Sequence, residues 1–464
     1  MKNITLLVLM SLTAVSAQRA IPQPVTEGPL TNYIAKVDSS YHWVEHRRSL
    51  LNEVSFAELM LTSQRWHDIA WKHQLYIIKP TNVKPNTQHA LLFIGGGRWK
   101  QEYENPKDGF KLPKKADVFA SIAEKLGTPV AILMQVPHQP IFGGKTEDEI
   151  IAFTFENYLN TGDPEWPLLL PMVKSAVRAM DAVAEYVDQT WDLQIKSFTV
   201  AGASKRGWTS WLTGAVDKRV TAIAPMVIDV LNMGPQLEYQ KRVWGDLSYK
   251  ISDYSERNIF KQLATEAGRT LQEIVDPYNY RHELKQPKLI IIGTNDHYWP
   301  LDALNLYWDD LFGPKYILYL AGNRHKLKDY ARIIGSINAL HQHVASGKVL
   351  PQLSWKFTNG DGRLSLKVES DIPPSRIVAW VASSATRDFR EAQWAYYPTQ
   401  NEGNVHFYDL TLPEAGYTAI FGEAVFDDDE DSDIPYFLST TVKIVKATGA
   451  DSEVNSIQLG VATK

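Results

Sequence analysis

Short, continuous apolar runs recur along the middle of the chain, at residues 75–78, 90–94, 130–136, 198–200, 220–228, 289–292 and 316–320. Runs that do not alternate with polar residues read as strands covered on both faces. Between them, apolar residues recur at helical spacing over 116–126, 168–187, 205–216, 301–311 and 325–344. The alternation predicts an α/β fold: a mostly parallel sheet with helices on both faces. In such sheets the functional site lies at the carboxyl ends of the strands. Two long connections, 138–167 and 229–286, leave strands on that side and read as lids or substrate walls. After about residue 350 the helical period disappears. Seven short β-rich runs follow, with turn signals such as Asn359-Gly360-Asp361-Gly362, and predict a C-terminal antiparallel β-sandwich over 351–446.

Residues 18–70 are mixed and resist assignment, but the first seventeen do not. Lys2 precedes an apolar stretch that ends in Val15-Ser16-Ala17. That is the pattern of a cleavable signal peptide over 1–17, too short to span a membrane. The expectation is export to the periplasm or beyond, without a transmembrane anchor. The expected organisation is a leader over 1–17, an α/β domain over 18–350, the sandwich over 351–446 and a tail over 447–464. The 464 residues contain no cysteine, which excludes disulfides, thiolate metal sites and a cysteine nucleophile. A net charge of -5 without basic clusters argues against nucleic acid as a partner.

The sharpest chemical signal is Gly202-Ala203-Ser204-Lys205-Arg206-Gly207. It follows one strand run and opens a helical one. A serine there sits on a tight strand-to-helix turn, beside the N–H groups of a helix N-terminus. The regular elbow is G-x-S-x-G; here Arg206 stands where the second glycine belongs, and Gly207 comes one place late. Alone, the segment also fits a serine capping an ordinary helix. Two later groups change the balance. Run 289–292 is followed by Gly293-Thr294-Asn295-Asp296, and run 316–320 by Ala321-Gly322-Asn323-Arg324-His325. The order Ser, Asp, His after successive strands is that of an α/β-hydrolase. Ser204 is then the expected nucleophile, His325 its base and Asp296 the group that orients the ring. Asp229, which also follows a strand, competes for the acid role; otherwise it orients substrate or caps the insertion.

Developing negative charge on the substrate calls for two donors. The backbone N–H of Lys205 is one, and Gly96 or Gly97 in the Gly95-Gly96-Gly97-Arg98-Trp99 loop supplies the other. Arg98, Lys205 and Arg206 suggest a basic pocket for a substrate carboxylate, although Arg206 paired to an acid beneath the elbow is the stronger expectation. His138 and Gln139 fall at a strand end and are expected to edge the cleft, with Trp99 and Trp299 beside the reactive loops. Two rival motifs remain. His42-Trp43-Val44-Glu45-His46 fits H-x-x-E-H, which at helical spacing could hold zinc with Glu45 as base. The acidic run from Asp427 to Asp433 reads as a solvated loop and lacks the glycine and terminal glutamate of a calcium loop.

These residues carry a resemblance. Gln135-Val136-Pro137-His138-Gln139-Pro140, Glu147-Asp148-Glu149-Ile150-Ile151-Ala152, Glu165-Trp166-Pro167, Pro171-Met172-Val173-Lys174, the Ser204 elbow, Val227-Ile228-Asp229 with Asn232-Met233, and Gly293-Thr294-Asn295-Asp296 resemble the PhoPQ-activated pathogenicity-related proteins. The likeness runs over roughly 30–430. It implies secreted bacterial proteins with an α/β-hydrolase core and poorly defined substrates. The elbow is also similar to that of glucuronoyl esterases, where a charged residue follows the serine. The expected activity is hydrolysis of an ester or amide through a Ser204 acyl-enzyme, with no metal or organic cofactor, on a small-molecule, peptide or glycan-ester substrate. Two other classes stand beside it: a catalytically silent secreted protein that binds or signals, and a zinc hydrolase built on His42, Glu45 and His46.

Overall fold

The computed structural model describes residues 27–447, except 52, 106–115, 361 and 428–433. The expected leader, the tail from 448 onward and most of the acidic run lie outside the described residues. The strands are β1 (His42–Leu51), β2 (Val54–Trp66), β3 (Ile69–Lys79), β4 (His89–Ile94), β5 (Val130–Leu133), β6 (Ser197–Ala203), β7 (Val220–Met226), β8 (Lys288–Gly293) and β9 (Lys315–Leu320), with the seven apolar runs in β3 to β9. They form one sheet in the order β1-β2-β3-β5-β4-β6-β7-β8-β9. The pairings from β1 to β5 are antiparallel, and from β5 to β9 they are parallel. Every residue of β5 and β8 is buried, as continuous apolar runs require. The helices Ala116–Leu126, Leu169–Trp191, Lys205–Val216 and Tyr330–Ala345 cover the sheet. This is an α/β-hydrolase-type architecture.

The two insertions fold as helices. Asp148–Thr161 occupies the first, and Met233–Trp244, Ser252–Glu256, Ile259–Gln262 and Glu266–Val275 occupy the second. The N-terminal stretch that the sequence left unassigned supplies β1 and β2. That placement corrects the zinc motif, because His42 and His46 lie on a strand. Four residues along a strand span about 13 Å, too far for both side chains to close on one ion. Residues 301–311 are also corrected: only Ala303–Leu306 is helical, as one 3-10 turn. The Lys315 ammonium takes the carbonyls of Trp308 (2.6 Å) and Leu311 (3.1 Å) instead.

The C-terminal strands are β10 (Leu353–Gly360), β11 (Arg363–Ser370), β12 (Arg376–Ser384), β13 (Trp394–Pro398), β14 (Gln400–Glu402), β15 (Val405–Thr411), β16 (Tyr417–Phe426), β17 (Tyr436–Ser439) and β18 (Lys443–Lys446). β10-β11-β15-β14 make a separate antiparallel sheet. It packs on β16, where a Cβ on Gly422 would lie 3.0 Å from Val368 and 3.3 Å from Leu366. The other layer, β17-β16-β12-β13, continues the main sheet. β17 joins β9 through the pair Ser439 and Ile317.

Candidate active site

The turn after β6 places Ser204 at φ 58°, ψ -129°, immediately before the helix Lys205–Val216. Left-handed φ is unfavourable for a serine, by about 1–3 kcal/mol, and persists only where the surroundings impose it. Here they do. The Ser204 N–H donates to the carbonyl of Met226 (2.8 Å), and its own carbonyl accepts from Trp208 N–H (3.0 Å). A Cβ on Gly202 would meet the Arg206 carbonyl at 2.5 Å. A Cβ on Gly207 would meet Ile228 at 2.8 Å and the Gly202 carbonyl at 2.9 Å. The late glycine therefore makes the close approach to strand and neighbour that the turn needs, and position 206 is free to carry a long side chain.

The chain order brings three side chains together. His325 Nε2 lies 2.9 Å from Ser204 Oγ, and His325 Nδ1 lies 2.8 Å from Asp296 Oδ2. An ionised carboxylate only accepts, so Nδ1 carries the hydrogen and Nε2 is left to accept from the hydroxyl. Asp296 Oδ1 accepts the Tyr298 backbone N–H (2.8 Å), and the Tyr298 ring stacks on the imidazole at 4.0 Å. Tyr298 therefore fixes both the carboxylate and the ring plane. Sequence reading missed it because a tyrosine two places after an acid carries no motif.

Arg206 takes a structural role. Its guanidinium grips both oxygens of Glu147 at 2.8 Å, and its Nε donates to the Val136 carbonyl. Lys205 Nζ reaches Glu147 at 2.7 Å and Asp148 at 3.4 Å. Gln139 completes the brace: its amide donates to Glu147 (2.6 Å) and to the Gly97 carbonyl (3.1 Å), and its oxygen accepts Glu147 N–H (2.7 Å). Burial raises the Glu147 pKa, but Arg206 and Lys205 outweigh it and hold the carboxyl below its ordinary range. The basic pocket suggested by the sequence is thus corrected: Lys205 and Arg206 are committed to Glu147. Arg98 is exposed and has no ion pair among the described residues. Glu147 lies in a segment shared with the family but carries no motif that gives it a role.

The Gly95–Gly97 loop is laid against this brace. Gly95 N–H is used by Leu133 (2.7 Å), and a Cβ on Gly96 would come within 2.5 Å of Arg206 Nη2. Gly96 is half-buried, while Gly97 (φ 119°) is exposed. His138, expected at the cleft edge, is buried with its Nδ1 against the Lys72 backbone (3.1 Å) and its ring tilted on Trp71 and Trp99. Trp99 donates its backbone N–H to Gln139 (2.6 Å). Asp229 is not the partner of His325. It is buried, and burial pushes its carboxyl up to about 7; Tyr307 pulls the other way, and Asp296 and Asp302 add to the rise.

Beside Ser204 and His325 lies a cavity of about 50 Å3. Phe155, Trp208, Ile228, Leu237, Ile251 and Trp299 line it, so its wall combines the sheet end with helices of both insertions. Among the described residues, no cluster of three or more metal-ligating side chains occurs, and no helix is long and apolar enough to cross a membrane.

The family of PhoPQ-activated pathogenicity-related proteins matches residues 30–390. The chain is 30% identical over 462 residues to autocrine proliferation repressor protein A of Dictyostelium discoideum, covering 92% of this chain and 90% of that protein. It is 27% identical over 177 residues to acetyl esterase Axe7A of Xylanibacter ruminicola, covering 38% of this chain and 37% of that protein. Among solved structures, an acetyl xylan esterase from Paenibacillus sp. R4 superposes with a TM-score of 0.46 at 15% identity, over 65% of this chain and 87% of that one. Acetyl xylan esterase 1 from Thermoanaerobacterium sp. JW/SL YS485 gives 0.43 at 16% identity, over 65% and 88%.

Proposed function

This chain belongs to the PhoPQ-activated pathogenicity-related family, and we propose that it is a serine hydrolase cleaving a carboxylic ester with a short, uncharged acyl group. The observation that carries this reading is the unbroken chain Ser204 Oγ, His325, Asp296, with contacts of 2.9 and 2.8 Å. Ser204 attacks the ester carbonyl carbon and its proton passes to His325 Nε2. Asp296 stabilises the imidazolium through Nδ1. The N–H of Lys205, at a helix N-terminus, and that of Gly96 or Gly97 meet the oxyanion. His325 then returns the proton to the departing alkoxide, and water releases the acyl group by the same route in reverse. The cavity at Ser204 would hold the acyl chain. Its small volume, about 50 Å3, and its largely apolar wall favour a short, uncharged acyl group. An acetyl group, the acyl named in acetyl esterase Axe7A, is of that kind. The sequence leader supports export, and a mature N-terminus just after Ala17 is the expected result of sequencing the exported protein.

A fluorophosphonate probe together with p-nitrophenyl acetate tests the reading. Labelling at Ser204 and ester turnover, both lost in Ser204→Ala, are expected. Turnover that persists in Ser204→Ala would remove Ser204 from the chemistry. A second reading, a secreted signalling protein, is favoured by the name of the relative that aligns along nearly its whole length. A growth-regulating activity that survives Ser204→Ala unchanged would favour it over the enzyme.

A further inference from the structure

The acid and base of the proposed chemistry sit on two loops, 293–299 and 321–325, and both are tied to a third. Asn295 precedes Asp296 and is buried. Its backbone N–H donates to Asn323 O (2.9 Å), two residues before His325, which binds the first two loops together. Its side chain turns the other way. Oδ1 accepts the Thr294 hydroxyl (2.8 Å), so the amide nitrogen is directed outward. There it faces three backbone carbonyls of the loop between β12 and β13: Phe389 (3.2 Å), Arg390 (3.2 Å) and Ala392 (2.7 Å).

That loop is stiff in its own right. Phe389 is buried, Ser384 Oγ donates to the Asp388 carbonyl (2.7 Å) and Arg390 Nε binds Asp388 (2.9 Å). It also straps the two site loops from outside, because Glu391 reaches His297 Nε2 (3.1 Å) and pairs with Arg324, the residue before His325. Exposed pairs of this kind hold weakly. A buried amide facing three carbonyls holds more firmly, since each carbonyl left unmet costs the desolvation of that group.

We propose that the C-terminal module, through its 385–393 loop, holds Asp296 and His325 in register, and that Asn295 is the positioning residue on which this depends. The proposal rests on the Ser204 reading. It explains why a β-sandwich that, among the described residues, contributes no side chain to the acyl cavity is fused to the sheet beside β9. Small misplacement of reacting groups slows chemistry by up to about 100-fold while leaving substrate binding in place.

The test compares wild type with Asn295→Ala, Asn295→Asp and the double variant Glu391→Ala/Arg324→Ala. The readouts are kcat and KM for p-nitrophenyl acetate, the labelling rate of Ser204 by a fluorophosphonate, and the thermal midpoint. Asn295→Ala should lower kcat and the labelling rate by about 10- to 100-fold with KM within about twofold. Asn295→Asp keeps size and shape but sets a carboxylate against three carbonyls, so its loss should equal or exceed that of alanine. A purely packing role predicts the opposite order. The surface double variant should lose about two- to fivefold in kcat without a change in midpoint. Folded Asn295 variants with wild-type kcat would overturn the proposal. If neither variant folds, an unchanged kcat in the double variant overturns it. A wild-type protein that neither turns over ester nor takes the label sinks the Ser204 reading itself, a distinct result.

Discussion

The two halves of the site are held by different physics. One half, Ser204 with the Gly95–Gly97 loop, is braced by charge: Glu147 against Arg206 and Lys205, with Gln139 closing the ring. Its parts come from the sheet and from the first insertion. The other half, Asp296 with His325, is braced mainly by neutral groups: backbone amides, a stacked tyrosine and the Asn295 carboxamide. Its outer support arrives from a module about ninety residues further along the chain. The charged brace compensates the elbow's departure from the regular motif. Arg206, which stands where the regular motif has a glycine, is the anchor of the brace, and a glycine follows it at 207.

The largest break should come from Glu147→Ala, which leaves two nearly buried cations without their shared counter-charge. A fully buried pair broken this way costs about 3–5 kcal/mol. The Glu147 side chain is 41% exposed, so about 2–3 kcal/mol is expected here, read from chemical denaturation, with ester turnover lost as the oxyanion loop relaxes. Glu147→Gln adds the sign. The folded-state pKa of Glu147 is lowered, so its contribution is complete above the ordinary glutamate value and is lost as pH falls from there through the lowered folded-state value. The glutamine variant should therefore show a shallower loss of stability in acid than wild type.

Gly207→Ala comes next. Its Cβ would press on the Gly202 carbonyl and on Ile228, and overpacking of this kind costs about 1–3 kcal/mol. Slower fluorophosphonate labelling of a folded protein checks it; unchanged labelling would mean that the elbow is not set by this glycine. Asp229→Asn sharpens the comparison from the other half. The unfolded chain ionises Asp229 above about 3.8, while the folded chain keeps it protonated up to about 7. Folding then binds the extra proton, and stability falls as pH rises through that window. The asparagine variant should flatten the thermal midpoint between pH 4 and 7 and exceed wild type at pH 8. Arg98→Ala should do least: an exposed residue without an ion pair, it is expected to change kcat/KM for a neutral ester by less than about twofold.

Much of this was legible beforehand. Helices 116–126 and 205–216 carry clean periodicity and begin and end where the structure has them. The proximity of Ser204, Asp296 and His325 followed from chain order, because a parallel sheet delivers successive loops to one end. What escaped was interaction between distant polar groups. Gln139 and His138 looked like cleft residues because they follow a strand, yet their partners, Glu147 and Lys72, are set by the three-dimensional path of the chain. Asn295 looked like part of a motif, and its three carbonyl partners have no side-chain identity to read. Nor could periodicity reveal that the C-terminal strands extend the main sheet, since an alternating strand reads the same in either layer.

That continuity bears on how the protein can be cut. β9 is a wholly apolar segment after its first residue, and β17 lies along its outer side, with Ser439 hydroxyl accepting the Tyr319 N–H at 3.0 Å. A chain ended near residue 350 would bare that ladder as an open edge of high β-propensity and almost no charge, the kind of surface on which strands of other molecules add. Truncation should therefore give an insoluble product whatever the state of Ser204, which the soluble fraction of a chain ended at residue 350 would show.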